Sequence, residues 1–131
     1  MAALVLSVAF VPDALAGKPG GGGGSSSSIS GPVMVADLNG NGLPNFGDTV
    51  TFNVSTTATS QPYVNLLCYQ NGVLVANGWN GFFDQALNPT RNFALYSGSW
   101  QSGAAACTAW LDMYTKQGTK QLTSVSFQVG A

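Results

Sequence analysis

A chain of 131 residues is long enough for one domain with a real core and too short for two comfortable ones. It carries four Lys and Arg against five Asp, with no histidine and no glutamate, for a net charge of −1. Capture of nucleic acid or of an anionic membrane surface needs clustered bases, which Lys18, Arg91, Lys116 and Lys120 do not provide, so both partners are set aside.

Residues 2–11 (AALVLSVAFV) are an apolar run of ten, followed by Pro12 and then Ala14-Leu15-Ala16. This is the hydrophobic segment and A-x-A site of a secretory signal peptide over residues 1–16, cut after Ala16, although the charged start of such a leader is missing. The competing reading is a buried apolar strand. The run is too short to span a bilayer as a helix. The expectation is therefore a secreted or cell-surface protein with no membrane insertion after cleavage.

Residues 17–32 (GKPGGGGGSSSSISGP) cannot bury apolar surface at this density of Gly and Ser, and read as a flexible tether spanning roughly 20–25 Å root-mean-square. From Val33 the composition changes, and residues 33–131 are the expected folded domain. Val33–Ala36 is a short strand that leads into Asp37-Leu38-Asn39-Gly40-Asn41-Gly42-Leu43-Pro44-Asn45-Phe46-Gly47-Asp48. Side-chain oxygens fall at the first, third, fifth, ninth and twelfth positions of that run, with glycine at the sixth. This is the loop pattern of an EF-hand, ending in Asp in place of Glu. The expected ligands of a structural calcium ion are Asp37, Asn39, Asn41, the carbonyl of Leu43, Asn45 and Asp48. The alternative is an Asn/Gly turn in which Asp37 and Asp48 merely cap backbone amides.

Val50, Phe52 and Val54 alternate with small polar residues, which predicts a strand with one buried face. A strand on each side of the loop, where an EF-hand has helices, leaves a clamp and removes the moving part of a sensor. Pro62–Gln70 and Val73–Val75 flank Asn71-Gly72, the strongest short hairpin signal. With Cys68 facing inward, Tyr63, Asn65, Leu67 and Tyr69 face out. Residues 76–90 show neither period and are expected to form a long loop bearing Trp79, Phe82 and Phe83. Arg91–Tyr96 returns to a strand pattern, and residues 97–103, with Trp100, form a turn region. In Ala104–Tyr114, Ala105, Cys107, Ala109, Leu111 and Met113 share one face, and Thr108, Trp110 and Asp112 the other. Gln121–Val129 is the last strand. Two cysteines in a secreted chain default to one disulfide, Cys68–Cys107, with two buried thiols as the alternative.

About seven short strands with turns between them predict an all-β, antiparallel sandwich. The order of GDTVTFNVS, a cysteine strand and a late Ala105-Cys107-Ala109-Leu111 strand before a final hairpin resembles bacterial secreted immunoglobulin-like domains over residues 33–131. In immunoglobulin strand order, Cys68 and Cys107 would lie on the third strand and the sixth, adjacent in one sheet. The resemblance thus implies a bridge within a sheet and not between sheets.

Exposed rings stack on sugars or anchor protein partners, so Tyr69, Trp79, Trp100 and Trp110 are the candidate ligand-binding residues. Phe82 and Phe83 read better as a satellite core. No catalytic site assembles. Histidine and glutamate are absent, the cysteines are expected to be oxidised, and nothing in the sequence pairs Asp84 with Asp112. The sequence therefore predicts a non-enzymatic binding or surface-structural module whose partner is an extracellular protein or glycan. The alternatives are a carbohydrate-binding module and a subunit of an extracellular assembly.

Overall fold

Alternation along Thr49–Thr56 sends Val50 and Phe52 inward, and the same period in Tyr63–Gln70 buries Val64, Leu66 and Cys68. Each segment has one apolar face to hide, and two sheets stacked face to face hide both. The computed structural model describes residues 25–87 and 90–131. The expected signal peptide and the first part of the tether lie outside those residues. Seven strands follow in chain order: β1 (Ser27–Ala36), β2 (Thr49–Thr56), β3 (Tyr63–Gln70), β4 (Val73–Gly81), β5 (Phe93–Ala94), β6 (Ala105–Thr115) and β7 (Gly118–Val129). They form a three-stranded sheet, β1-β2-β5, and a four-stranded sheet, β4-β3-β6-β7, with every strand pair antiparallel. This is a two-sheet antiparallel β-sandwich in which the fourth strand stays beside the third.

The core lies between the sheets. It holds Val50, Phe52, Val64, Leu66, Leu95, Trp100, Ala109, Leu111 and Val129 around the two cysteines. Phe52 meets Phe93 edge-on at 5.7 Å, and Phe82 stacks on Phe93 at 6.3 Å. Phe82 thus belongs to the main core. Cys68 and Cys107 stand directly opposite one another on β3 and β6, with Cα atoms 4.1 Å apart, and are joined by the disulfide. The bridge links adjacent strands of one sheet, as the resemblance implied.

Three boundaries differ by most from the sequence reading, each for a tertiary reason, while β7 starts three residues before the expected Gln121. β1 starts at Ser27, so residues 27–32 of the expected tether are strand, apart from a bulge between Ser30 and Val33. Its partner β2 is long enough to template them: Ser27 pairs with Thr56, their hydroxyls 2.7 Å apart, and Ile29 pairs with Val54 against the core. β4 runs to Gly81, through residues 76–81 that were expected to be loop, because the free side of β3 supplies a ladder from Tyr63↔Gly81 to Gln70↔Val73. Pairing overrides the poor strand propensity of Asn and Gly there. Only Phe93–Ala94 of the expected strand 91–96 joins a sheet, because Leu95 turns instead to the β1–β2 loop. Its N–H donates to the Asp48 carbonyl at 2.8 Å, and its carbonyl accepts from the Gly47 N–H at 2.9 Å. The Asn71-Gly72 hairpin forms as predicted, both residues having positive φ (51° and 80°).

Candidate functional site: an aromatic sheet face

On the four-stranded sheet, the outward side chains of β3 and its neighbours are fixed by register. Asn65 pairs with Trp79 on β4 and with Trp110 on β6, and Tyr63 pairs with Gly81 and Asp112. Tyr114 follows two residues further along β6. The Tyr63 ring is the hub of the cluster this creates. Its centroid lies 5.2 Å from that of Trp79, 5.3 Å from Phe83 and 4.8 Å from Tyr114, all in tilted or edge-on arrangements. Such pairs are worth about 0.5–1.5 kcal/mol beyond buried area, enough to hold an exposed row of rings in order. Trp79 remains 55% exposed and Tyr114 50%, so the row is fixed yet open.

Gly81 makes the arrangement possible. A Cβ there would lie 2.7 Å from the Ala86 Cβ and 2.8 Å from Cε1 of Phe83. Its absence lets residues 82–87 fold back over the strand end and press Phe83 against Tyr63. Together Tyr63, Trp79, Gly81, Ala86 and Leu87 line a small cleft of about 160 Å³. That is below the roughly 300–1,000 Å³ of sites that swallow a small molecule. The cleft on this face is therefore too small to enclose a small molecule.

A carboxylate lies among these rings. Asp112 is only 3% exposed. Its Oδ2 accepts from Asn65 Nδ2 at 2.5 Å, and its Oδ1 is buried with no hydrogen-bond partner. Burial pushes the carboxyl above its ordinary value, and the bond from Asn65 opposes this with a smaller effect. Tyr114 is likewise raised, first by burial and then by Tyr63 and Asp112 nearby. Among the described residues the one ion pair is Arg91–Asp84, at 3.5 Å on the surface. Asp112 has none.

The structure divides the candidate aromatic residues. Trp79 joins the row, though on a strand and not in a loop, and Trp110 lies half-buried on the same face. Tyr69 also faces out, but six residues along β3 from Tyr63, roughly 20 Å away. Trp100 is not available to a ligand: it is wholly buried, its Nε1 donates to the Gly103 carbonyl at 2.9 Å, and Phe46 packs edge-on against it at 5.6 Å. Phe83, read as satellite core, belongs to the outer face instead. Tyr63, Asn65, Asp112 and Tyr114 were not singled out as site residues. The signal was present as Trp110-x-Asp112-x-Tyr114 at period two, but only strand register brings it to Tyr63 and Trp79.

The 37–48 loop is closed by its own hydrogen bonds. Asp37 accepts from the N–H groups of Gly40 (3.0 Å) and Gly42 (2.6 Å), and the wholly buried Asp48 accepts from those of Leu38 and Asn45 (2.9 Å each). Asn39 and Asn41 turn their oxygens to the N–H groups of Asn41 and Leu43, and donate their side-chain amides to Asn45 Oδ1. The loop also bonds outward: Phe46 N–H donates to the Gly130 carbonyl at 2.8 Å and Gly130 N–H to the Pro44 carbonyl at 2.9 Å. It thereby fastens the β1–β2 connection to the end of β7 and, through Leu95, to the chain after β5. Among the described residues there is no cluster of three or more His, Cys, Asp or Glu placed to hold a metal ion.

No family model, curated protein or solved structure matches this chain. The functional reading therefore rests on the residues themselves. Among the described residues, no helix is long and apolar enough to cross a membrane.

Proposed function

We propose that this protein is a secreted, non-enzymatic binding module that holds an extracellular glycan on the outer face of its four-stranded sheet. One observation carries the reading: Trp79, Tyr63 and Tyr114 stand in a row across three adjacent strands, with centroids 5.2 and 4.8 Å apart and the Asn65–Asp112 pair beside them. Sugar rings offer apolar faces that stack on aromatic rings and hydroxyl edges that bond to amide and carboxylate groups. An open row with polar groups alongside suits both. The shallow relief favours an extended chain over a single small molecule. Asp112 is the one carboxylate on this face among the described residues, held by Asn65 and with no second acid opposed to it, and Asp84 is engaged with Arg91 elsewhere, which favours binding without turnover.

The test is calorimetric titration with soluble polysaccharides and oligosaccharides, following tryptophan fluorescence in parallel. Trp79→Ala is expected to weaken binding by about 2 kcal/mol, roughly thirtyfold, as for a central interface aromatic. Failure to bind any glycan, together with self-association in native mass spectrometry, would favour the assembly-subunit reading and overturn this one.

A second proposal concerns the 37–48 loop. We propose calcium as a structural ligand there, because each oxygen of Asp37 and Asp48 keeps a lone pair beyond its amide bond and the oxygens recur at EF-hand spacing. Melting in calcium and in chelator tests it. A difference that Asp37→Ala abolishes supports the ion, and identical melts reduce the loop to a hydrogen-bonded clamp.

A further inference from the structure

The buried carboxylate says more about the ligand than the rings do. Resting on the glycan reading above, we infer that the glycan held on this face is an amino sugar chain with free, protonated amines, and that Asp112 receives one of them.

Asp112 Oδ1 is buried and has no hydrogen-bond partner. The groups around it are uncharged: Tyr63 opposite on β3, Gln121 opposite on β7, Asn65 on its other oxygen, and Trp110 and Tyr114 two residues away along β6. Among the described residues, no Lys or Arg forms an ion pair with it. A buried anion in such surroundings is costly unless a cation is supplied. Burial raising its carboxyl agrees with a carboxylate that lacks its counter-charge.

A ligand ammonium supplies what is missing. It donates charge-assisted bonds, about twice as strong as those of a neutral hydroxyl, and it is attracted to the faces of Tyr and Trp rings. A neutral sugar would stack on Trp79 and bond to Asn65, but it would leave the negative charge among the rings uncompensated. Oδ1 is buried, so contact with it requires a neighbouring side chain to turn aside. Tyr114 is suited to this, being half exposed and one residue from the β6–β7 turn.

The test compares three oligosaccharides of one length and linkage on the full chain at physiological salt: glucosamine, N-acetylglucosamine and glucose oligomers. The wild type is expected to bind the glucosamine oligomer about tenfold more tightly than either neutral one, the factor that corresponds to 1.4 kcal/mol. Asp112→Asn, checked for folding by its melt, is expected to erase that preference. Equal affinity of the wild type for all three overturns this inference while leaving the glycan reading standing. Binding to none overturns both. A glucosamine preference that survives in folded Asp112→Asn overturns the role of the carboxylate, and the three-way comparison on the wild type stands even where the variant does not fold.

Discussion

Replacing Asp112 with Asn isolates what the buried charge does to the fold. The carboxylate is 3% exposed, with one oxygen bonded to Asn65 and the other to nothing. Desolvation raises its carboxyl above the ordinary 3.8, and the Asn65 bond recovers only part of that. A carboxyl that is easier to protonate in the folded chain than in the unfolded one stabilises the fold in acid. The gain is complete below 3.8 and is lost as pH rises through the raised folded value. Above that raised value the wild type bears the whole penalty. Asp112→Asn keeps an oxygen to accept from Asn65 and carries no charge. Leaving a buried polar group unsatisfied costs about 1–3 kcal/mol, and more when it is ionised. Trading charge for amide is thus expected to gain about 1 kcal/mol at pH 7, roughly 4 °C in Tm for a domain of this size. Thermal unfolding by circular dichroism of both proteins from pH 3 to 8 reads this directly, because the other three acids of the domain cancel in the difference. The variant should be the more stable at pH 7, with its advantage shrinking on acidification and levelling off below the unfolded value. An advantage that is constant with pH, or one that grows in acid, would refute the reasoning.

Three further perturbations test the scaffold. Opening the Cys68–Cys107 bridge by a double Cys→Ala substitution should cost about 4 kcal/mol in urea unfolding through the entropy of the 39-residue loop alone, and a cost below about 1 kcal/mol would contradict that account. Gly81→Ala places a methyl 2.7 Å from the Ala86 Cβ and should displace Phe83 from Tyr63, visible as altered aromatic circular dichroism; an unchanged spectrum would show that the 82–87 segment yields without moving the ring. Asp48→Ala strands the amides of Leu38 and Asn45 and is expected to destabilise by about 3 kcal/mol, whereas an unchanged melt would mean that water replaces both bonds.

Much of the fold was legible because alternation is a strong signal when one face is buried. The patterns at Val50-Phe52-Val54 and Ala105-Cys107-Ala109-Leu111 placed β2 and β6, and Asn71-Gly72 placed the hairpin. Residues 27–32 and 76–81 were misread for a common reason. Ser, Gly and Asn carry no propensity for strand, and only the ladders offered by β2 and β3 make strands of them. The site was half legible. Outward tyrosines and Trp110 followed from period two, but neighbours across strands depend on register, which a single strand does not encode. Trp100 misled because a turn composition predicts exposure, while its indole N–H finds the Gly103 carbonyl inside the fold. For Asp48 the spacing left metal ligation and amide capping both open, and the folded loop places two backbone amides on its side chain.

The loop and the aromatic face serve different ends of the molecule. The loop bonds to Gly130, next to Val129, which pairs with Ala105 at the start of β6. Asp112 lies seven residues further along that strand, about 23 Å away at the rise of an antiparallel strand. A screened charge or a small shift in the loop does not reach that far through a sheet whose two central strands are joined by a disulfide. On the proposed reading, whatever holds residues 37–48 acts on how much of the chain is folded, and not on the affinity of the aromatic face. Variants of the loop should change melting temperature at constant affinity. Variants of Trp79 should change affinity far more than melting, since over half of that side chain is already in water.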